Sequence, residues 1–253
     1  MSVEPDGAGP AQWQPVARSR THELVIAAIE EQIMSDALRV GDSLPAERDL
    51  AAKLQVSRPA VREAFRVLEA QGVLRSAVGS GAGAGTFVAA MPSDALTRFL
   101  RLHLALSNFA FADVVEARVT LECSSVTLAA REPDRRRLAA VREAVEIMDS
   151  DEVDRATFND ADTAFHVAIA EAGGNRLVTA LTVAIRNAMR GRILAGIEQV
   201  ADWPALRQVL RDGHHAILAA IEAGDAATAA SLAEHHIRDA YARLPALHFD
   251  AGV

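Results

Sequence analysis

VSRPAVREAFRVLEAQGVL, residues 56–74, sets Arg58, Arg62 and Arg66 four residues apart. At helical spacing the three guanidinium groups project from one face, while Val61, Ala64, Phe65 and Leu68 fall on another. Ser57 is a good N-cap, Pro59 falls at the second helical position, and Gly72 stops the last turn, so a helix is predicted over about 58–70. Taken alone, the arginines suit a solvated stripe balanced by Glu63 and Glu69. Their neighbours carry another reading. Apolar periodicity predicts two helices upstream, over about 20–37 and 46–54, separated by GDSLP. Downstream, VLRSAV, the run GSGAGAG and TFVAA predict a two-stranded ribbon with an extended glycine tip, although such glycines also suit a linker. In the order helix, helix, turn, helix, ribbon, the third helix can enter a major groove, where arginine reads guanine O6 and N7.

The whole chain of 253 residues is half apolar and carries a formal net charge of −8. It can bury a sizeable core, and its length suggests a small domain followed by a larger one. Residues 1–90 hold 9 basic and 11 acidic side chains, so −6 of the net charge falls on the remainder. That balance argues against nonspecific coating of nucleic acid, which needs many cations on phosphates, and it leaves room for one compact basic face. Cys123 is the only cysteine, so no intramolecular disulfide forms and a reducing cytoplasm is expected. Residues 1–20 lack the basic start and apolar run of a signal peptide and read as a flexible arm. No apolar run reaches the roughly 18 residues that span a bilayer, so no membrane partner is expected.

GDSLPAERDLAAKLQVSRPAVREAFRVLEAQGVL, residues 41–74, resembles the winged helix-turn-helix of GntR-type transcription regulators, with the spacing of LP-ER, VSR and VRE kept as one block. The resemblance covers roughly residues 21–90. It implies that Arg48, Arg58 and Arg62 contact DNA, that Ser57 is a neighbouring phosphate contact, and that a homodimer binds a palindromic double-stranded operator. Two departures stand out. Ala46 replaces the usual serine, which removes a capping hydroxyl worth about 0.5–2 kcal/mol. The wing segment SAVGSGAGAG is long and lacks basic residues, so any contact it makes falls to backbone amides.

Beyond residue 91 about seven helical patterns follow, with breaks at NFAF, EPD, DSDEVD, AGGN, EQVADW and EAGD and no strand signal. The expected architecture is mainly α: an arm over 1–20, a winged helix-turn-helix over 21–90 and an all-helical effector-binding and dimerisation bundle over 91–253. Helical phase sorts the histidines. His214 continues the stripe Leu206, Leu210, Ile217 and Ile221 and points inward, whereas His215 lies about 100° further round. His236 shares a face with Leu232 and Ala240, and His235 falls on the polar side. Asp162 and His166 stand at i and i+4 on a face with Phe158, Phe165 and Ile169. Buried together, these groups need partners. Either Asp162 and His166 bond to each other in an ordinary core, or Asp162, His166, His214 and His236 converge on a cation. One carboxylate and three imidazoles suit Zn, Ni, Mn or a similar divalent ion.

D-x-x-x-F-H, then G-N, then H-x-A-I-L-x-A-I-x-x-G-D and a final H-I resemble the FCD domain of the FadR subfamily over about residues 94–243. The resemblance implies a divalent metal held by Asp162, His166, His214 and His236. It also implies that Arg118, in the R-x-x-L-E pattern, faces a small carboxylate effector, although Arg118 and Glu122 could equally form an exposed i,i+4 ion pair. Gly213 stands where an acidic residue is common. The function expected is a ligand-responsive transcription regulator, with repression as the family default. Two other readings share the residues: a sensor of the metal itself, and a metal-dependent hydrolase with an open coordination position. No unassigned carboxylate presents itself as the general base a hydrolase needs.

Overall fold

The computed structural model describes residues 21–77, 84–90, 93–106 and 108–244. The arm expected over residues 1–20 and the tip of the glycine-rich ribbon lie outside them. The chain divides into two compact units, Met1–Ala90 and Met91–Val253.

In the first unit α1 (Thr21–Met34), α2 (Glu47–Leu54) and α3 (Arg58–Ala70) precede the strands β1 (Leu74–Ala77) and β2 (Gly85–Val88). Ser57 caps α3 by accepting a bond from the Ala60 amide at 3.3 Å. Gly72 takes a φ of +76°, and the Val73 amide returns to the Leu68 carbonyl at 2.8 Å, so the chain turns directly from helix into ribbon. The strands pair antiparallel, Leu74 opposite Val88 and Ala77 opposite Gly85. Residues 41–44 extend the outer edge: the Leu44 amide bonds the Thr86 carbonyl at 2.8 Å and the Val88 amide bonds the Asp42 carbonyl at 2.9 Å. Val25 and Ile29 of α1 meet Val61, Ala64, Phe65 and Leu68 of α3, with Leu74 and Val88 closing the core. Burying side chains such as Phe65 and Leu68 contributes about 1.5–3 kcal/mol each. It also holds α3 with its arginines outward.

The second unit holds seven helices among the described residues: α4 (Ser93–Ala105), α5 (Phe111–Arg131), α6 (Ala139–Asp149), α7 (Arg155–Ala172), α8 (Arg176–Glu198), α9 (Trp203–Glu222) and α10 (Ala226–Ala242). Four of them start on polar caps: Asp154, Asn175, Asp202 and Asp225 accept bonds from first-turn amides. Helix α5 lies at the centre, packed against α7, α8, α9 and α10. The core around it is aliphatic and aromatic, with one polar layer. Arg118, Glu122, His166, Arg186, His214 and His236 are all buried, contributed by five different helices. No helix among the described residues is long and apolar enough to cross a membrane.

Candidate functional site

On the first unit, Arg58, Arg62 and Arg66 occupy the exposed face of α3, opposite the buried stripe. Arg62 donates through Nε and Nη2 to Glu47 Oε2, at 3.1 and 2.8 Å, tying α3 to the start of α2. That hydrogen bond holds the Glu47 carboxyl below its usual range. Arg48, in the first turn of α2, is exposed and bonded to Asp49 at 3.1 Å. Arg66 stands 3.8 Å from Glu63. Exposed pairs of this kind are weak, so phosphates or base edges can displace them. Ser57 spends its hydroxyl on the cap, beside the N-terminus of α3, whose free amides and dipole favour an anion. Ala46 caps α2 without any side-chain bond, as its missing hydroxyl requires.

In the second unit, one donor atom from each of Asp162, His166, His214 and His236 lies within 4.8 Å of the others. The burial follows helical phase in each histidine doublet: His214 is fully buried, while His215 is exposed and bonds Asp149 at 3.0 Å. His235 is likewise exposed. The direct Asp162–His166 hydrogen bond of the ordinary-core alternative does not form, because the two are 3.8 Å apart. Instead Asp162 Oδ1 lies 3.0 Å from His214 Nε2, and His166 Nδ1 lies 2.7 Å from Glu122 Oε2.

The residues present fit a cation. With Nδ1–H donating to Glu122, the Nε2 lone pair of His166 is free, and that atom is buried without a hydrogen-bond partner. A carboxylate orienting an imidazole from behind is the usual arrangement around a metal ligand. Burial and the nearby Arg186 push His166 down to about 4, and burial with the neighbouring imidazoles pushes His236 well below its ordinary value. Both rings are therefore neutral donors at neutral pH. Burial would raise Asp162, but the Arg186 charge and the His214 bond outweigh it and keep the carboxylate ionised.

Arg186 and Glu122 belong to this polar cluster, and the sequence reading assigned neither to it. Arg186 donates to Asp162 Oδ2 at 2.7 Å and to both Glu122 oxygens at 2.9 and 2.7 Å. Its phase signal was available, since Thr182, Arg186, Met189 and Ile193 share one stripe, but Arg176, Arg190 and Arg192 on the same helix dilute it. Arg118 does pair with Glu122, at 2.6 Å, yet the pair is buried rather than exposed. Its guanidinium also donates to the Tyr241 hydroxyl. Gly213 has a local role. A Cβ placed there would lie 2.4 Å from His236 Nδ1, so the absent side chain makes room for that imidazole.

A small cavity of about 30 Å³ adjoins the cluster. Arg118, Asp162, His236 and Tyr241 supply its polar wall, and the rest is apolar.

The chain matches two family models. One, described as bacterial regulatory proteins of the gntR family, covers residues 21–84, and the FCD domain model covers residues 113–239. The HTH-type transcriptional repressor NanR of Cronobacter sakazakii is 28% identical over 241 residues, which are 92% of this chain and 89% of that protein. The protein of the same name from Salmonella newport is 30% identical over 68% of this chain and 66% of its own length. Among solved structures, Streptococcus agalactiae GntR superposes with a TM-score of 0.61 at 22% identity, covering 86% of this chain and 97% of that one, a likeness of fold.

Proposed function

The chain belongs to the GntR family of bacterial regulatory proteins, with an FCD domain behind its helix-turn-helix, and from that premise we propose how this DNA-binding transcription regulator is controlled. It acts as a cytoplasmic homodimer, and a small organic acid bound beside a divalent metal in the C-terminal unit changes its affinity for a palindromic operator. The metal, a Zn, Ni or Mn ion by donor chemistry, is held by Asp162, His166, His214 and His236. Arg118 receives the acid. Arg58 and Arg62 read the operator, while Arg48 and Ser57 contact its backbone. Repression relieved by the acid is the expected sense, in keeping with the relatives' description as repressors. Family membership sets the hydrolase reading aside.

The observation that carries the proposal is the convergence of four metal donors next to a cavity walled by Arg118. A metal ion supplies a Lewis-acid position there for a carboxylate oxygen. Tyr241 and Glu122 hold the guanidinium in place, and the dry surroundings strengthen its attraction for an anion. For control to follow, the acid must bind the DNA-competent and DNA-incompetent arrangements unequally.

Three measurements test the reading. Sequencing the genomic fragments retained by the purified protein from sheared DNA of its own host, at near-physiological salt, should enrich a short palindrome. Arg58→Ala should lose roughly ten- to a hundred-fold in affinity for it, with the protein still folded. Arg118→Ala should abolish the acid response while the metal content stays the same. Persistence of that response would remove Arg118 from the site, and a response to metal alone would favour the metal-sensing reading.

A further inference from the structure

The apolar part of the cavity is ordered along the bundle. Phe158 lies four residues before Asp162 on α7, and Leu206 and Leu210 lie eight and four residues before His214 on α9. On the helices that leave the polar layer, Ala240 and Leu244 come four and eight residues after His236, and Ile193 and Ile197 come seven and eleven after Arg186. At about 1.5 Å per residue, the helical ones among them sit one to three turns from the polar layer, and Leu244 follows just past the end of α10. All of them line the same cavity. The polar groups thus share one layer, and the aliphatic side chains that line the cavity lie along the bundle away from it.

We propose that the acid recognised here is an aliphatic monocarboxylate, its head held by Arg118 beside the metal and its hydrocarbon tail lying in the shaft formed by Ile193, Ile197, Leu206, Leu210 and Leu244. The proposal rests on the acid-responsive reading above and narrows it to one class. A dicarboxylate whose first carboxylate occupies Arg118 and the metal would bury its second charge among aliphatic side chains, and a sugar acid would bury hydroxyls against Ile and Leu side chains that cannot bond them. The small cavity volume limits the tail to a few carbons unless the surrounding aliphatic side chains give way. Ala240, the smallest lining residue, marks where a bulkier side chain would narrow the shaft.

The test is calorimetric titration of the full chain, loaded with Zn²⁺, against the straight-chain acids from acetate to octanoate, with succinate and gluconate alongside. The dissociation constant should fall about fourfold per added methylene until the shaft is full, then level off or rise. Ala240→Val should move the optimum to a shorter acid. An affinity independent of chain length, or a preference for succinate or gluconate, overturns the aliphatic tail but leaves an acid sensor standing. If no carboxylate binds the Zn²⁺-loaded protein, the acid-responsive reading falls with it. Circular dichroism and melting of the variant separate misfolding from a blocked shaft, and the unmodified chain decides the matter without it.

Discussion

The two units use arginine in opposite ways. On α3 and the start of α2, Arg48, Arg62 and Arg66 are half to three-quarters exposed, each paired with a single surface carboxylate. Between α5, α7 and α8, Arg118 and Arg186 are almost wholly buried and share Glu122, with Arg186 also holding Asp162. The exposed groups cost little to detach, which suits the proposed exchange of a carboxylate for DNA. The buried ones balance two carboxylates in a low-dielectric interior, where every charge must be answered. They fix the geometry on which any bound cation and acid would depend.

The largest expected effect breaks the buried half of this contrast. Arg186→Ala leaves Glu122 and Asp162 facing each other without their shared cation, a loss of about 3–5 kcal/mol by analogy with other broken buried pairs. The second unit should melt on the order of 10 °C lower, whereas Arg62→Ala should leave its melting unchanged. Scanning calorimetry of the full chain reads both. Equal melting of the two variants would mean that the polar layer is solvated enough to tolerate an unpaired charge.

This contrast also explains what the sequence could and could not reveal. The surface row was legible because α3 alternates a clean apolar stripe with arginines at a period of four, between a Ser57 cap and Gly72. The metal-ligand candidates were legible because each histidine doublet offers only one residue in phase with Leu, Ile or Ala. The seven helices of the second unit were legible from their Gly, Pro and Asp breaks, where caps such as Asp154 and Asp225 now stand. Arg186 was missed because its meaning depends on Glu122 and Asp162, 64 and 24 residues away in the chain. A charged residue on an apolar helix announces a partner only when the partner's helix is placed against it. The same holds for Tyr241, whose hydroxyl meets Arg118 across 123 positions, and for Gly213, where the sequence shows only that an acidic residue is missing.

Gly213 sharpens the comparison at intermediate size. Gly213 and Gly191 both lie inside helices of the second unit but differ in surroundings: a Cβ at Gly213 meets His236 at 2.4 Å, while one at Gly191 meets nothing within 4 Å. Gly191→Ala should stabilise the chain by about 0.5–1 kcal/mol, the ordinary gain in an unobstructed helix. Gly213→Ala should lose that gain to the displaced imidazole and lower the affinity for Zn²⁺ by roughly tenfold or more, measured by competition with a chelating dye. If both substitutions stabilise equally and metal uptake is unchanged, His236 has another position available and the ligand set loses a member.

The smallest expected effect lies on the exposed side. Ala46 already has the backbone of an N-cap, with φ −54° and ψ 148°, and its carbonyl accepts from Asp49 and Leu50 at 2.8 and 2.9 Å. Only the side-chain acceptor is missing. Ala46→Ser should therefore add about 1 kcal/mol to the start of α2, read as roughly fivefold slower native-state exchange of the Arg48 or Asp49 amide. Because α2 carries Glu47, the partner of Arg62, a firmer first turn also holds that carboxylate more tightly against the recognition helix. Operator affinity then reports on a competition: a stiffer α2 presents Arg48 better, while a better-placed Glu47 resists the release of Arg62. An unchanged exchange rate would mean that the acidic first turn, Glu47 and Asp49, already stabilises the amides that the serine was meant to cap.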